Sequence, residues 1–143
     1  MRLSTIARYG LRAMIDLAEH YDGGFVRLSE IAERQGISLR YLENIMSRLV
    51  AANLVISSRG RRGGFKLAKA PSEITVLEVI EPLEQTLSPV PCLDTPDYCD
   101  RVDSCAAKAL WEEVKLEILK ILGNKTLADL AALANELENK ESD

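Results

Sequence analysis

The chain has 143 residues, of which 47% are hydrophobic and 5% aromatic, and it carries a formal net charge of −4. This length predicts one domain, or one small domain with an extension, around a mostly aliphatic core. No apolar run reaches the roughly 20 residues of a membrane span. The first ten residues also lack the apolar stretch of a signal peptide, so we expect a cytoplasmic protein with no membrane partner.

The charge is unevenly divided along the chain. Residues 1–70 hold 12 Lys and Arg against 6 Asp and Glu, a net charge of +6, whereas residues 71–143 hold 6 against 16, a net charge of −10. A basic segment attracts phosphate and an acidic one is repelled by it. The pattern therefore indicates that any contact with nucleic acid lies in the first half.

The first predicted element is a helix over residues 4–21. Apolar side chains recur along it at helical spacing, and either Ser4 or Thr5 is a suitable N-cap. Asp22-Gly23-Gly24 ends it with a turn, and residues 25–27 are predicted to be a short extended connector.

Two more helices follow, separated by a glycine. Ser29 is the predicted N-cap of a helix over residues 30–35, Gly36 ends that helix, and Ser38 caps a second helix over residues 39–52. An apolar stripe on the second helix predicts that it packs on a core. Helix, glycine-containing turn and helix together are the helix-turn-helix pattern.

The outward face of this second helix is polar. Because a helix fits the major groove of DNA, side chains on its exposed face reach base edges and phosphates. Its arginines suit guanine or phosphate, Asn44 suits adenine, and Glu43 is expected to tune specificity since phosphate repels it. The candidate DNA contacts on this helix are Ser38, Arg40, Tyr41, Glu43, Asn44, Ser47 and Arg48.

A β-hairpin is predicted next, with strands over residues 54–58 and 65–67 around a glycine-rich turn. A helix-turn-helix followed by a basic hairpin is a winged helix. The arginines of the turn suit the minor groove or phosphates, and its glycines permit positive φ and close approach. These candidates are Arg59, Gly60, Arg61, Arg62, Gly63 and Gly64. Two other interpretations remain, namely solvated charges on an ordinary helical domain and a winged helix that binds protein.

The second half begins with a short helix, predicted over roughly residues 75–84 after Pro71. Prolines are expected to keep residues 88–105 irregular. A long helix over residues 106–122 then presents one apolar side, which predicts a buried face against either the core or a partner. The side chains on that face are Leu110, Trp111, Val114, Ile118, Ile121 and Leu122.

The last predicted helix covers residues 127–138. Thr126 and Asp129 have the spacing of reciprocal capping residues at its start. Residues 139–143 are expected to be frayed.

Cys92, Cys99 and Cys105 are the only cysteines, and they lie in the irregular acidic segment. In a reducing compartment, clustered cysteines are more often metal ligands or redox thiols than disulfides. Structural zinc sites usually carry closely paired cysteines, so the wide gaps here favour a multi-atom cluster, with unrelated free thiols as the alternative. A fourth ligand stays open among an aspartate of the loop, a partner residue, solvent and a small thiol; His20, the only histidine, is more readily explained as a surface residue.

Four stretches carry a resemblance to a known family: MRLSTIARYGLRAM, LSEIAERQGISLRYLENIMSRL, LVISSRGRRGGFKLAKAPSEITVLEVIE and LWEEVKLEILKILGNKTLADL. Together they cover the chain to about residue 133. The chain resembles the iron–sulfur-dependent winged-helix repressors typified by IscR and NsrR. The resemblance implies a homodimer formed through helix 106–122 and three cysteines that ligate a [2Fe–2S] or a [4Fe–4S] cluster, of which we favour [2Fe–2S]. It also implies that Glu43 helps to discriminate between two classes of DNA site.

The chain departs from this family at the fourth ligand. IscR-like members have a histidine three residues after the third cysteine, where this chain has Lys108. NsrR-like members use an acidic residue from the partner's N-terminal segment, whereas residues 4–9 here contain no carboxylate and include Arg8. The fourth ligand is therefore unassigned.

The sequence as a whole predicts a mostly α fold with a small β-hairpin: a winged helix over residues 1–84, a cysteine loop over 85–105, and a dimerisation helix with a final helix over 106–138. We expect a homodimeric DNA-binding regulator, a repressor of a palindromic operator, whose cluster senses iron status, oxygen or nitric oxide. The alternative in the same family is a regulator switched by cysteine thiols or by a protein partner. An iron–sulfur electron carrier is disfavoured, and no enzyme activity or small-molecule substrate is expected.

Overall fold

The computed structural model describes residues 2–142, and the fold is mostly helical with one antiparallel hairpin, as predicted. No helix within this range is both long enough and apolar enough to cross a lipid bilayer. In chain order the elements are α1 (Thr5–Glu19), α2 (Leu28–Gln35), α3 (Leu39–Ala51), β1 (Val55–Ser58), β2 (Gly64–Leu67), α4 (Val76–Ile80), α5 (Ala106–Gly123) and α6 (Leu127–Ser142).

The beginnings of the first three helices depend on different groups. The Ser4 hydroxyl accepts from the Ala7 amide at 3.1 Å, and the Ser38 hydroxyl accepts from the Tyr41 amide at 3.2 Å, so both are N-caps. The prediction of Ser29 as a cap is wrong, because α2 begins at Leu28 without a side-chain cap. The chain enters α2 one residue earlier, and the Arg27 carbonyl accepts from the first turn instead.

The core forms where α1 and α3 face each other. On α3 the predicted stripe is fully buried at Leu42, Ile45, Met46 and Leu49. A Cβ on Gly10 of α1 would lie 2.2 Å from Leu83, so the glycine permits close approach to the segment after α4. Burying one such aliphatic side chain contributes about 1.5–3 kcal/mol, and this packing fixes the orientation of α3.

The hairpin pairs β1 with β2 from Val55↔Leu67 to Ser58↔Gly64. The connector before α2 joins this sheet, which the sequence did not indicate: the amides of Val26 and Phe65 each donate to the other residue's carbonyl at 2.8 Å. The hairpin is therefore anchored to the segment that leads into α2, and the wing is held against the helix-turn-helix.

The helix predicted over residues 75–84 is shorter in the structure. Pro71–Glu73 forms a 3₁₀ turn, and the Thr75 hydroxyl then caps α4 by accepting from Glu78 at 3.2 Å. α4 ends at Ile80. Pro82 follows closely, and since proline has no amide proton it cannot extend the helical hydrogen-bond ladder.

The final helix is longer than predicted. Its start has the expected reciprocal caps, in which the Thr126 amide donates to Asp129 at 2.9 Å and the Asp129 amide donates to the Thr126 hydroxyl at 3.1 Å. Residues 139–142 continue the helix where fraying was expected. The physical reason is composition, since Glu and Lys are good helix formers; Asp143 lies outside the described residues.

The helices on both sides of the cysteine loop share one core. α6 packs on α1, and its Leu127 is fully buried with the residues of α1 and α3. Backbone bonds from Val76 to Lys125 and from Leu127 to Ile74 tie the starts of α4 and α6 together. α5 differs, because none of its side chains is buried in the single chain.

Candidate nucleic-acid interface and cysteine pocket

The polar face of α3 is open to solvent. Arg40, Glu43, Asn44 and Ser47 are exposed on it, and Tyr41 is half-buried because its ring meets Tyr9. The buried stripe on the opposite side fixes this face outward. The structure thus presents these five predicted polar residues together on one helix surface.

Arg48 is placed differently from the other polar residues of α3. It is exposed, but it lines a cavity of about 680 Å³ together with Glu84 and Asp94. The end of α3 therefore faces the segment that leads into the cysteine loop.

The turn between β1 and β2 exposes Arg59, Arg61 and Arg62. Its glycines differ among themselves: Gly60 is exposed with a φ of 100°, Gly63 is buried, and Gly64 has a φ of 146°. The guanidinium of Arg27 donates to the Arg61 carbonyl and ties the turn to the start of α2. The wing is thus a supported basic projection beside α3.

The three cysteines lie around one pocket. Cys92, Cys99 and Cys105 line a cavity of about 350 Å³ at the beginning of α5. All three are free thiols, of which Cys99 is exposed and the other two are half-buried. The rest of the wall is largely apolar, with side chains of Val90, Pro91, Tyr98, Arg101, Val102, Lys108 and Trp111.

Local structure positions two of these thiols. Cys92 lies in the 3₁₀ turn Pro91–Leu93, and Cys105 is the residue immediately before α5, where its carbonyl accepts from the Ala109 amide. Asp94 follows the 3₁₀ turn and holds it in place. Its carboxylate accepts from the hydroxyls of Thr86 at 2.5 Å and Ser88 at 2.6 Å, and Lys115 of α5 lies 3.9 Å away.

The donor set of the pocket has the chemistry of the ligands that iron–sulfur clusters take. Within residues 2–142, no three His, Cys, Asp or Glu side chains lie close enough to hold one metal ion. Three thiols around a wider, mostly apolar cavity supply the soft ligands that iron–sulfur clusters take. The cluster would be held by Cys92, Cys99 and Cys105.

No fourth sulfur, imidazole or carboxylate of the described chain lines this pocket. Lys108 lines it instead, and its ammonium lies 3.8 Å from a Glu112 carboxylate oxygen. His20 immediately follows α1, and its Nδ1 lies 2.8 Å from the Asp16 carbonyl oxygen. Asp94 is already engaged by two hydroxyls.

Beside the pocket, α5 carries large exposed apolar side chains. Leu110 and Ile121 are 51% and 58% exposed, and Trp111 is 36% exposed. Val114 and Ile118 are half-buried between them, whereas Leu122 packs against the core. All six side chains on the predicted apolar face are therefore left uncovered or only partly covered by the chain's own core.

Three comparisons identify the family. Residues 3–133 match the family model described as Rrf2, iron-dependent transcriptional regulator. The chain belongs to the Rrf2 family of transcriptional regulators. It is 42% identical over 130 residues to the HTH-type transcriptional regulator IscR of Serratia proteamaculans, a match that covers 91% of this chain and 79% of the relative.

Two solved structures are similar to this Rrf2-family chain. T. potens IscR has a TM-score of 0.79 and 39% identity, covering 96% of this chain and 90% of that one. CymR, the global cysteine regulator of B. subtilis, has a TM-score of 0.80 and 36% identity, covering 93% and 98%. The relatives are transcriptional regulators, so this protein is a regulator and not an enzyme.

The sequence interpretation missed a polar network behind the helix-turn-helix of this Rrf2-family protein. Asp16 is buried in α1 and accepts from both Arg34 and Gln35 of α2. Arg12 donates to the carbonyl of Gln35 and lies over the ring of Tyr9. Asp16 interrupts the apolar positions of α1, which was the only available signal, since a polar residue on a buried face requires partners.

Proposed function

We propose that this chain is a homodimeric transcription factor that acts in the cytoplasm and whose DNA affinity depends on an iron–sulfur cluster, [2Fe–2S] in preference to [4Fe–4S]. The observation that carries the proposal is the shared pocket of Cys92, Cys99 and Cys105 at the start of α5. When bound, the cluster supplies a redox-sensitive and iron-dependent crosslink among three points of the loop. The thiols would hold it, and the largely apolar wall would limit access of water.

The DNA-contacting surface would combine the exposed face of α3 with the basic turn of the wing. The contacts of α3 with bases and phosphates would fall to Ser38, Arg40, Tyr41, Glu43, Asn44, Ser47 and Arg48, of which Tyr41 and Ser47 suit phosphate. Phosphate or minor-groove contact by the wing would fall to Arg59, Arg61 and Arg62. Gly60 permits the bend of the turn, while Gly63 and Gly64 let it approach its neighbours closely. Replacing Arg61 and Arg62 by Ala is expected to lower both the affinity and its salt dependence.

A palindromic operator requires two copies of the chain, and α5 supplies the surface for pairing. Leu110, Val114, Ile118 and Ile121 fall within about 80° of one another around the helix, and Trp111 flanks them. Exposed apolar patches of this kind favour association. Sedimentation of an I121K variant is expected to show monomers; L116K is the matched control, because Leu116 is 66% exposed but lies on the opposite side of α5.

The pocket also suggests how the cluster state could reach the DNA-contacting surface. Cys105 immediately precedes α5, so a change in the loop acts directly on the start of the proposed dimer helix. Moving α5 changes the spacing of the two recognition helices. A two-state change of this kind requires only a few kcal/mol of differential binding. The regulator would repress transcription, and its cluster would respond to iron status, oxygen or nitric oxide.

The alternative function is a thiol switch without a cluster. The similarity to CymR, the global cysteine regulator of B. subtilis, favours this alternative. In that case two of the three thiols would join on oxidation or a protein partner would bind. Mass spectrometry after mild oxidation distinguishes the cases, because a defined Cys–Cys bond supports the thiol switch.

The test of the proposed function is chemical analysis of protein purified without oxygen. We expect a coloured protein with iron and acid-labile sulfide, and loss of both in C92S, C99S and C105S variants that remain folded. S104A is the matched control, because it alters the same loop without removing a thiol and should keep the cluster. Stoichiometric zinc without sulfide would overturn the proposal.

A further inference from the structure

Arg12 lies on α1, outside the helix-turn-helix and the wing, yet its contacts connect it to the end of α2 and, through two aromatic rings, to the first turn of α3. Its guanidinium carbon is 5.2 Å from the centre of the Tyr9 ring, and the Tyr9 ring meets Tyr41 edge-on at 5.9 Å with an interplanar angle of 87°. Tyr41 stands in the first turn of α3, where its amide donates to the capping Ser38. Two aromatic rings therefore link the arginine to the recognition helix.

A second set of contacts fixes the direction of the guanidinium. Its Nη2 donates to the carbonyl of Gln35, the last residue of α2, and its Nε lies 3.4 Å from the Gln35 side-chain oxygen. Gln35 is itself held, since its side-chain amide donates to buried Asp16 at 3.0 Å. Arg12 thus connects α1 directly to the end of α2, and the Tyr9 ring beneath it contacts the beginning of α3.

These contacts do not neutralise the positive charge of Arg12. No Asp or Glu within residues 2–142 lies within ion-pair distance of it. An arginine has five N–H donors, and its Nη1 group has no hydrogen-bond partner in the described chain. The side chain is exposed, so an ordered, unneutralised guanidinium faces solvent next to the helix proposed to enter the major groove.

We infer that Arg12 binds a DNA phosphate at the edge of the groove entered by α3. This inference rests on the proposed DNA-binding function and adds a third contact surface to it, on α1. Phosphates border the major groove, and contacts to them set the register of a recognition helix without reading sequence. Stacking on Tyr9 and bonding to Gln35 restrict the side chain before binding, which lowers the entropy lost when it meets the phosphate.

A purely structural role is the competing explanation, since a cation at the end of α2 also stabilises that helix. The two roles differ in salt dependence. Each phosphate contact adds about 0.9 to the slope of log affinity against log salt. A dimer with one Arg12 contact per subunit therefore loses about 1.8 from that slope when the charge is removed.

The experiment compares wild type with R12Q, R12K and K140Q on a duplex selected by the wild-type protein from a random pool. R12K keeps the charge but loses the planar bonds to Gln35, so any folding effect of those bonds is common to R12K and R12Q. K140Q removes an exposed charge at the far end of α6. Thermal unfolding of every variant sets the temperature at which binding is measured.

We expect R12Q to lower the salt slope by about 1.8, so that raising salt from about 50 to 200 mM weakens wild type about tenfold more than R12Q. R12K and K140Q should keep the wild-type slope. A wild-type slope in R12Q, or an equal reduction in R12K, would overturn the inference while leaving the proposed function intact. Absence of DNA binding by the wild-type protein would instead overturn the proposed function itself.

Discussion

Asp16 of α1 binds Arg34 of α2 through two parallel hydrogen bonds, from Nε at 2.9 Å and from Nη2 at 2.7 Å. The Asp16 side chain is 2% exposed and the Arg34 side chain is 36% exposed. The hydrogen bond to the carboxylate raises the pKa of Arg34. This bidentate pair fastens the first helix of the helix-turn-helix to the core, and through Gln35 it continues to Arg12.

The asymmetry of burial in this pair predicts an asymmetric response to mutation. R34M leaves the Asp16 carboxylate buried without its cation, which costs about 3 kcal/mol of unfolding free energy. D16N costs less, since Arg34 can turn toward water. Urea unfolding of the two variants and the double mutant measures the difference, with K140M as an exposed control. An R34M variant within about 0.5 kcal/mol of wild type would show that the pair is not a structural anchor.

The wing should depend on Gly64 more than on Gly60. A Cβ at Gly64 would lie 2.2 Å from the Val26 carbonyl oxygen, a backbone atom that cannot move aside, and its φ is 146°. G64A is therefore expected to break the pairing between Val26 and Phe65 and to cost about 1–3 kcal/mol or more. G60A meets no atom within 4 Å and carries only the strain of its φ of 100°. Amide hydrogen exchange at Phe65 reports the pairing, and equal protection in G64A and G60A would contradict this account.

The hydrogen bonds from Thr86 and Ser88 to the Asp94 carboxylate, which support the cysteine loop, should weaken in acid. Hydrogen bonds from Ser88 and then Thr86 lower the pKa of Asp94 below its ordinary value of 3.8. A lowered folded-state pKa means that the carboxylate stabilises the fold above pH about 4 and that this contribution is lost as pH falls through the folded pKa. Carbon-detected NMR titration of Asp94 should give a pKa below 3.8, and T86A/S88A should return it toward that value. A titration unaffected by the double substitution would rule out the two hydroxyls as the cause.

Because Lys108 lines the cysteine pocket, we expect a histidine at this position to strengthen cluster binding. K108H places an imidazole on the cysteine pocket, one turn into α5, where the chain now presents an ammonium. Imidazole is an iron ligand and a protonated amine is not, so the variant should lose its cluster more slowly in air than wild type. K120H, with the histidine at an exposed position near the other end of the same helix, is the control. Equal rates of loss in K108H and wild type would show that position 108 does not reach the cluster.

The fold could be predicted from the sequence wherever a local rule acted alone. Ser38 caps α3 as predicted because a serine before a helical stripe has one dominant role, and the reciprocal caps Thr126 and Asp129 are equally local. The prediction that Ser29 caps α2 was wrong, because the chain before α2 is held by the pairing of Val26 with Phe65, which is distant in sequence.

The grouping of the three cysteines could be predicted from the sequence, whereas the contacts that support their loop could not. The spacing of Cys92, Cys99 and Cys105 indicated shared ligation, and the structure places all three on one pocket. The role of Asp94 in holding the loop depends on hydroxyls six and eight residues earlier in an irregular segment, and no periodicity reports that. The position of Arg48 near the cysteine loop could not be predicted either, because the packing of the core is what brings the end of α3 to the same cavity as Glu84 and Asp94.

The most direct test of cluster-controlled DNA binding is the affinity of one anaerobic preparation for its selected duplex before and after chelation of the iron. We expect the cluster-loaded and cluster-free proteins to differ by at least about tenfold, or about 1.4 kcal/mol, and a folded C92S/C99S/C105S variant to behave like the cluster-free protein. Identical affinities for the loaded protein, the cluster-free protein and this variant on every selected duplex would contradict it.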